Sequence, residues 1–395
     1  MTTSLVAGWH DLTVSVPSTR LKGRGKVPPM FLALREIRHQ RGRFALIVAV
    51  IALIAYLAFF LASLATGLAH SYRSAIDDWD ATSVALTDDS NESVTASRLS
   101  KDQVEVATTD NDAEPLVVSG VVLKAADSSQ SGRAKVSAFA FGIDRFGFLA
   151  PEKVGGGITE GRSIEHPDSE IVVDDTVARE GWQVGDKLQL NSNSHTWTIV
   201  GFTHDQTFQA TPVIFVDEKA LAKEPPTDAP VAVNAVVSRI GWSPSQARDL
   251  GKAELTTLSS DDFVKTLAGY DAQVLTFGLM IGALVIIASF ALGIFVYVLT
   301  LQKRAALGIL KARGVPTSYL VRSGAIQTLL LALVGLAVGL ALTLLTGTVL
   351  PDKVPFQFTW WLYGITTAVF ALFSVIGGLL SVKVISGIDP VEAIS

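Results

Sequence analysis

Four stretches of the chain run for more than twenty positions without a charged residue: 44–69, 274–301, 323–350 and 359–382. About 20 apolar residues carry a helix across the roughly 30 Å hydrocarbon layer of a bilayer, so each stretch predicts a transmembrane helix. Between the first and second lie residues 70–273, whose pattern is different. Short apolar runs there, at 115–123, 135–142, 170–173, 187–190, 196–202, 213–216 and 231–238, have the length and alternation of strands. Gly185-Asp186 and residues 191–194 supply turn chemistry between them. Residues 174–181 predict a short helix and 220–230 a loop. No breaker interrupts 70–79, so the first helix is expected to project beyond the bilayer as a stalk, with 261–271 as the returning stalk. The expected fold is an α-helical membrane protein with four transmembrane helices, one plus three, and a mixed α+β domain between the first and second.

Charge sets the orientation. Residues 70–270 hold 17 Lys/Arg against 31 Asp/Glu, whereas the rest of the chain holds 15 against 6. Short basic loops resist translocation, so the acidic domain at 70–273 is expected outside the cell membrane and both termini in the cytoplasm. The first span then serves as an uncleaved signal anchor. With no cysteine in the chain, disulfides and thiolate metal sites are excluded.

Residues 1–29, polar and proline-containing, predict a flexible cytoplasmic extension. In 30–43, Phe31, Leu34 and Ile37 recur at helical spacing while Arg35, Arg38 and Arg41 occupy another face. That is an amphipathic elbow helix suited to the inner membrane surface. The second and third spans are joined by 302–322, which carries Lys303, Arg304, Lys311, Arg313 and Arg322 and no acid. Residues 305–312 predict a helix that Gly314 and Pro316 stop. The third and fourth spans are joined by a tight link with Pro351 and Pro355, and 383–395 forms a short cytoplasmic tail.

The segment 303–316, Lys-Arg-Ala-Ala-Leu-Gly-Ile-Leu-Lys-Ala-Arg-Gly-Val-Pro, resembles the coupling-helix signature of FtsX-like permeases, the membrane subunits of MacB-type ABC transporters. Ala306-Leu307 stand where that family often has Glu-Ile, and the missing acid is expected to alter contacts with the ATPase without removing the docking role. Leu32 to Arg38 resembles the family's elbow helix, and Ile388-Asp389-Pro390-Val391-Glu392-Ala393 its terminal Pro-x-Glu-Ala element. Glu160-Gly161-Arg162, Val184-Gly185-Asp186 and Val200-Gly201 are similar to its Gly-Arg … Val-Gly-Asp run. Together these cover nearly everything after Met30.

The resemblance implies a lever: closure of cytoplasmic ATPase subunits moves the spans and stalks, and the outer domain responds. It implies a docking surface for that ATPase at Lys303, Arg304, Leu307, Gly308, Ile309, Leu310, Lys311, Arg313 and Gly314, and a homodimer of permeases in membrane lipid. The chain has no Gly-x-x-x-x-Gly-Lys-[Ser/Thr] phosphate loop, so ATP is expected on a separate partner. Gly278 with Gly282, and Gly335 with Gly339, are spaced for close helix contact. No catalytic constellation or intrinsic cofactor is expected, nor a nucleic-acid partner, and His166, His195 and His204 read as solvated surface residues.

His70 and Tyr72, where the first span leaves the bilayer, and Met280, in the outer part of the second, are residue types that contact haem iron. The layout is also similar to the haem-exporting permeases of Gram-positive bacteria, which implies haem as the transported substrate. Two rival readings are export of an antibiotic, peptide or lipid, and an FtsX-like regulator that moves no cargo but drives an external cell-wall hydrolase. A sensor without an ATPase is disfavoured by the basic loop at 302–322.

Overall fold

The computed structural model describes residues 41–386 except 110, 127–132, 192, 228, 303–307, 310–312 and 352. Helix α1 (Arg41–Asp77) leads into strand β1 (Ser83–Thr87), helix α2 (Lys101–Thr108), strands β2 (Ala113–Ala125), β3 (Val136–Ile143), β4 (Ile158–Gly161) and β5 (Glu170–Asp174), and the short helix α3 (Asp175–Ala178). Then come β6 (Lys187–Leu190), β7 (Trp197–Thr203), β8 (Thr207–Phe208), β9 (Thr211–Asp217) and helix α4 (Glu218–Lys223). Strand β10 (Ala235–Ser238), helix α5 (Pro244–Lys252), β11 (Leu255–Ser259) and helix α6 (Ser260–Thr266) complete the inserted domain. Three long helices follow: α7 (Tyr270–Gln302), α8 (Thr317–Gly347) and α9 (Trp360–Ser386).

Among the described residues, three helices are long and apolar enough to cross a bilayer: Phe44–Asp77 within α1, then α7 and α8. The expected fourth span is helical as α9, with an apolar portion counted over Trp360–Phe373. Two compact units divide the chain. One comprises Val48–Ala291 with Ala332–Phe373; the other contains, among the described residues, 41–47, Leu292–Leu331 and 374–386.

In the first unit α8 packs closely on α1. A Cβ on Gly335 would lie 2.5 Å from Ile51 Cγ2, and one on Gly339 would lie 2.8 Å from the Ala52 carbonyl oxygen. Small residues thus let two helices approach, as their spacing predicts. Among the described residues, Gly278 and Gly282 have nothing within 4 Å of an added Cβ, so that pair makes no such contact there.

The inserted domain is built on a sheet of order β11-β1-β10-β2-β3-β9-β5-β7-β4, with β3–β9 and β5–β7 parallel. Its central strands are buried on both faces, and alternate side chains feed two cores. On β9, Val213 and Phe215 enter one core while Ile214 and Val216 enter the other; on β5, Val172 separates from Ile171 and Val173 in the same way. The first core also receives Ala75, Ile76 and Trp79, so the far end of α1 and the turn after it are part of the domain's interior. Trp79 stacks on Phe263 and tilts against Phe141, at ring-centroid distances of 6.2 and 6.1 Å.

The Gly-Arg … Val-Gly-Asp run has a structural cause. Gly161 at φ +81° and Gly201 bring β4 and β7 together where a Cβ on Gly201 would meet the Arg162 carbonyl oxygen at 2.5 Å. Gly185, at φ +92°, turns the chain so that its N–H donates to the Ile199 carbonyl, and Asp186 accepts from Gln183 N at 2.9 Å. Left-handed φ of this kind favours glycine.

Several segments differ from the sequence expectation. Residues 261–271 do not return as one stalk: α6 ends, Gly269 turns at φ +84°, and α7 begins at Tyr270. The predicted loop 220–230 begins inside α4, and only the end of 231–238 is strand, as β10. Strands β1, β4, β8 and β11 and helices α2 and α5 add to those expected. Ser100 with Gln103, and Ser243 with Gln246, form reciprocal capping boxes at the starts of α2 and α5.

The crevice at the end of helix α1

Helix α1 stays continuous for 37 residues, from its apolar part into the domain core. The hairpin of β8 and β9 is clamped along its last two turns. Ser74 Oγ and Thr207 Oγ1 lie 2.8 Å apart, Thr207 Oγ1 donates to the Ser71 carbonyl at 2.9 Å, and Gln206 Nε2 donates to Asp78 Oδ2 at 2.5 Å. The hairpin's two turn residues, Gln209 and Ala210, have φ of +49° and +57°, and their N–H groups donate to the Tyr72 and Ser71 carbonyls. A left-handed non-glycine residue costs on the order of 1–2 kcal/mol, which these bonds to α1 offset.

Between the clamp and the α8–α9 link opens a crevice of about 660 Å³. The link is seated against α1: Gln357 N donates to the Ser63 carbonyl at 3.2 Å, and a Cβ on Gly67 would collide with the Pro355 carbonyl. Lys353, on the link, pairs with Glu180, just past α3, at 2.7 Å. Across the crevice His70 Nε2 lies 2.5 Å from Asp205 Oδ2, and His204 Nδ1 lies 2.7 Å from Asp175 Oδ2. The hydrogen bond to Asp175, opposed by slight burial, holds His204 above the usual histidine range.

Beneath these pairs Asp174 caps α3. It is fully buried and accepts from Thr176 N, Thr176 Oγ1 and Gln206 N. Burial outweighs those hydrogen bonds and pushes its carboxyl up to about 6. At the far side of the domain Glu170 is held down to about 2, first by its paired hydrogen bonds from Arg162 and then by the backbone N–H groups of His166 and Glu165.

Of the residues singled out as haem contacts, His70 lines the crevice. Tyr72, two residues on and so about 200° around the helix, instead tilts against Tyr270 at a centroid distance of 6.0 Å. Met280 is half-exposed on α7, ten residues beyond Tyr270 and thus about 15 Å along that helix. One chain therefore does not gather the three into one cluster. The sequence had no means of pairing His70 with Asp205 or His204 with Asp175. His204 is 65% exposed. His195 is less solvated than expected: its ring packs on Trp197 at 4.6 Å and its Nε2 lies 2.8 Å from the Asp168 carbonyl oxygen.

In the expected docking surface Gly308, Ile309, Arg313 and Gly314 are described, while Lys303, Arg304, Leu307, Leu310 and Lys311 lie outside the described residues. Ile309 is half-exposed, Arg313 N donates to the Ile309 carbonyl, and Gly314 turns at φ +85° before α8 starts at Thr317. The 1–29 extension, residues 30–40 of the elbow and residues 387–395 of the tail also lie outside the described residues.

Residues 278–390 match the family model described as FtsX-like permease C-terminal. A Staphylococcus epidermidis protein named hemin transport system permease protein HrtB is 25% identical over 367 residues, covering 92% of this chain and 99% of its own length. An uncharacterized ABC transporter permease of Mycobacterium bovis is 28% identical over 284 residues, covering 71% and 75%. The crystal structure of the periplasmic region of MacB from Actinobacillus actinomycetemcomitans aligns with a TM-score of 0.33 at 11% identity, covering 47% of this chain and 92% of that one.

Proposed function

We propose that this FtsX-like ABC transporter permease is the membrane subunit of a haem-efflux system, moved by a separate cytoplasmic ATPase. The observation that carries the substrate is the likeness, along 92% of the chain, to a relative named for hemin transport. The observation that fits the mechanics is α1, one unbroken helix whose outer end is a core element of the inserted domain. In this reading the acidic domain lies outside the cell, because the basic residues cluster in the short segments flanking the spans. Both termini and the 302–322 loop lie inside, where the loop receives the ATPase. Two permeases work together in the bilayer, and α9 completes a set of four spans.

ATPase closure moves α7 and α8 through their connecting loop. The motion reaches the domain through α1 and through the α8–α9 link, whose Lys353 is tied to Glu180. Haem enters from the lipid, and His70, Tyr72 and Met280 are the side chains of this chain assigned to contact it. The test is a titration of the purified full-length chain with hemin, followed at the Soret band. A saturable shift supports the reading; no shift removes haem as the substrate, and an unchanged shift in His70→Ala and Met280→Ala removes those two contacts.

A second reading, a regulator without cargo, draws on Phe146 and Ile240, which stand 72% and 69% exposed on the inserted domain. Each side chain offers a protein partner an apolar contact, which substitution tests. Loss of a cell-wall hydrolase's activity in Phe146→Ala, with hemin tolerance intact, would favour it.

A further inference from the structure

His204 stands in the crevice with its ring nitrogens in different states. Nδ1 is held by Asp175 at 2.7 Å, and among the hydrogen bonds of the described residues Nε2 makes none. A proton on Nδ1, donated to the carboxylate, leaves the Nε2 lone pair outward. Metal-binding histidines are oriented and made more basic by that same carboxylate contact. Asp175 is itself fixed, in the first turn of α3 with Arg179 Nη2 3.6 Å from its Oδ1.

The surroundings narrow the ligand. Among the described residues no group of three or more His, Cys, Asp or Glu side chains could hold a bare metal ion. A single imidazole suffices only for a metal that brings most of its own ligands. The crevice walls include Val136, Pro212 and Phe356, which offer apolar surface, and Lys353 and Arg179, whose cations pair with Glu180 and Asp175 and can be shared with an anion. Its carboxylates already have partners: Asp175 accepts from His204 Nδ1, Glu180 pairs with Lys353 and Asp205 with His70. A volume of about 660 Å³ falls within the roughly 300–1,000 Å³ of small-molecule sites.

We propose that this crevice binds an iron porphyrin bearing carboxylates, with His204 Nε2 as axial ligand and Lys353 and Arg179 facing the carboxylates. The proposal rests on the haem reading above and adds to it a station beside the inserted domain, beyond the apolar part of α1. Binding forms one Fe–N bond, displaces one water from ferric iron and leaves the oxidation state unchanged. The geometry suits transfer: a cargo leaving the bilayer beside α1 meets an imidazole on the bend that leads into the clamped β8–β9 hairpin.

The experiment is a titration of the full chain in lipid nanodiscs with hemin, read at the Soret band, and in parallel with metal-free protoporphyrin IX, read by fluorescence. His204→Ala should abolish a histidine-ligated spectral component and lower hemin affinity about tenfold or more, with protoporphyrin affinity unchanged. Asp175→Asn, which leaves the imidazole in place, should weaken hemin about 10–100-fold. Lys353→Glu should weaken both porphyrins. If hemin binds His204→Ala with the wild-type spectrum and affinity, the crevice assignment is overturned while the haem reading stands. If the wild-type chain binds neither porphyrin, both fall together.

Discussion

Lys353 Nζ lies 2.7 Å from Glu180 Oε1, joining the link between α8 and α9 to the inserted domain. The pair is partly solvated, with side-chain exposures of 64% and 31%. Such a pair contributes about 0–1 kcal/mol of stability, so its consequence is geometric. Lys353→Glu and Glu180→Lys should each lower ATP-driven efflux from reconstituted vesicles several-fold while changing the melting temperature little. The double exchange should restore efflux. Restoration that fails while ATPase turnover and hemin affinity are both at the wild-type level would show that the link does not transmit motion.

Gly67 and Gly339 are places where backbones meet, and Gly278 is not. Gly67→Ala would drive a methyl into the Pro355 carbonyl, and Gly339→Ala into the Ala52 carbonyl and the Ala55 methyl. Overpacking of this kind costs about 1–3 kcal/mol. Gly278→Ala meets open space among the described residues and gains helix propensity of up to about 1 kcal/mol. Thermal unfolding in detergent should therefore separate two destabilised variants from a neutral or stabilised one.

The turn residue Ala210 holds φ +57°, a conformation glycine adopts without a Cβ penalty. Ala210→Gly should leave the bonds to α1 in place and raise stability by up to about 1 kcal/mol, the part of the left-handed cost that glycine's extra chain entropy does not cancel. Ala210→Val should do the opposite. Chemical denaturation of the full chain in detergent reads both.

Acidity acts on two carboxyls in opposite senses. Asp174 is raised from 3.8 to about 6 in the fold, so its protonated form is favoured there. Its contribution is full below pH 3.8 and lost as pH rises through 6, by an amount on the order of 3 kcal/mol. Glu170 is lowered from 4.5 to about 2, so its contribution is full above pH 4.5 and lost as pH falls through 2. The Asp174 contribution declines above about pH 3.8 and the Glu170 contribution below about pH 4.5, so thermal stability should peak between those two values. Asp174→Asn, which retains an N-cap side chain, should flatten the decline between about pH 4 and 6 and leave the acid limb unchanged.

The apolar runs were legible because a bilayer demands length and composition, and both are local. The strands of the domain's centre were legible for a similar reason: Ile171, Val172 and Val173 are apolar on both faces whatever their partners. Ser83–Thr87 and Leu255–Ser259 escaped because threonine and serine dilute the apolar pattern, and their pairing with each other supplies what composition lacks. Helices α2 and α5 were signalled by Ser100…Gln103 and Ser243…Gln246, four-residue patterns too short to register beside apolar periodicity. The clamp and the crevice could not be read. His70 and Asp205 are 135 positions apart, and only the folded sheet brings the β8–β9 hairpin onto α1.

The most direct measurement is ATP turnover by the full permease, reconstituted in lipid vesicles with its ATPase, as hemin in the membrane is raised. The account predicts turnover that rises saturably with hemin, falls back as hemin leaves the vesicles, and loses its hemin dependence when α1 is interrupted by a two-glycine insertion after Leu68. Turnover indifferent to hemin in the wild type, or equally hemin-responsive with α1 interrupted, would contradict it.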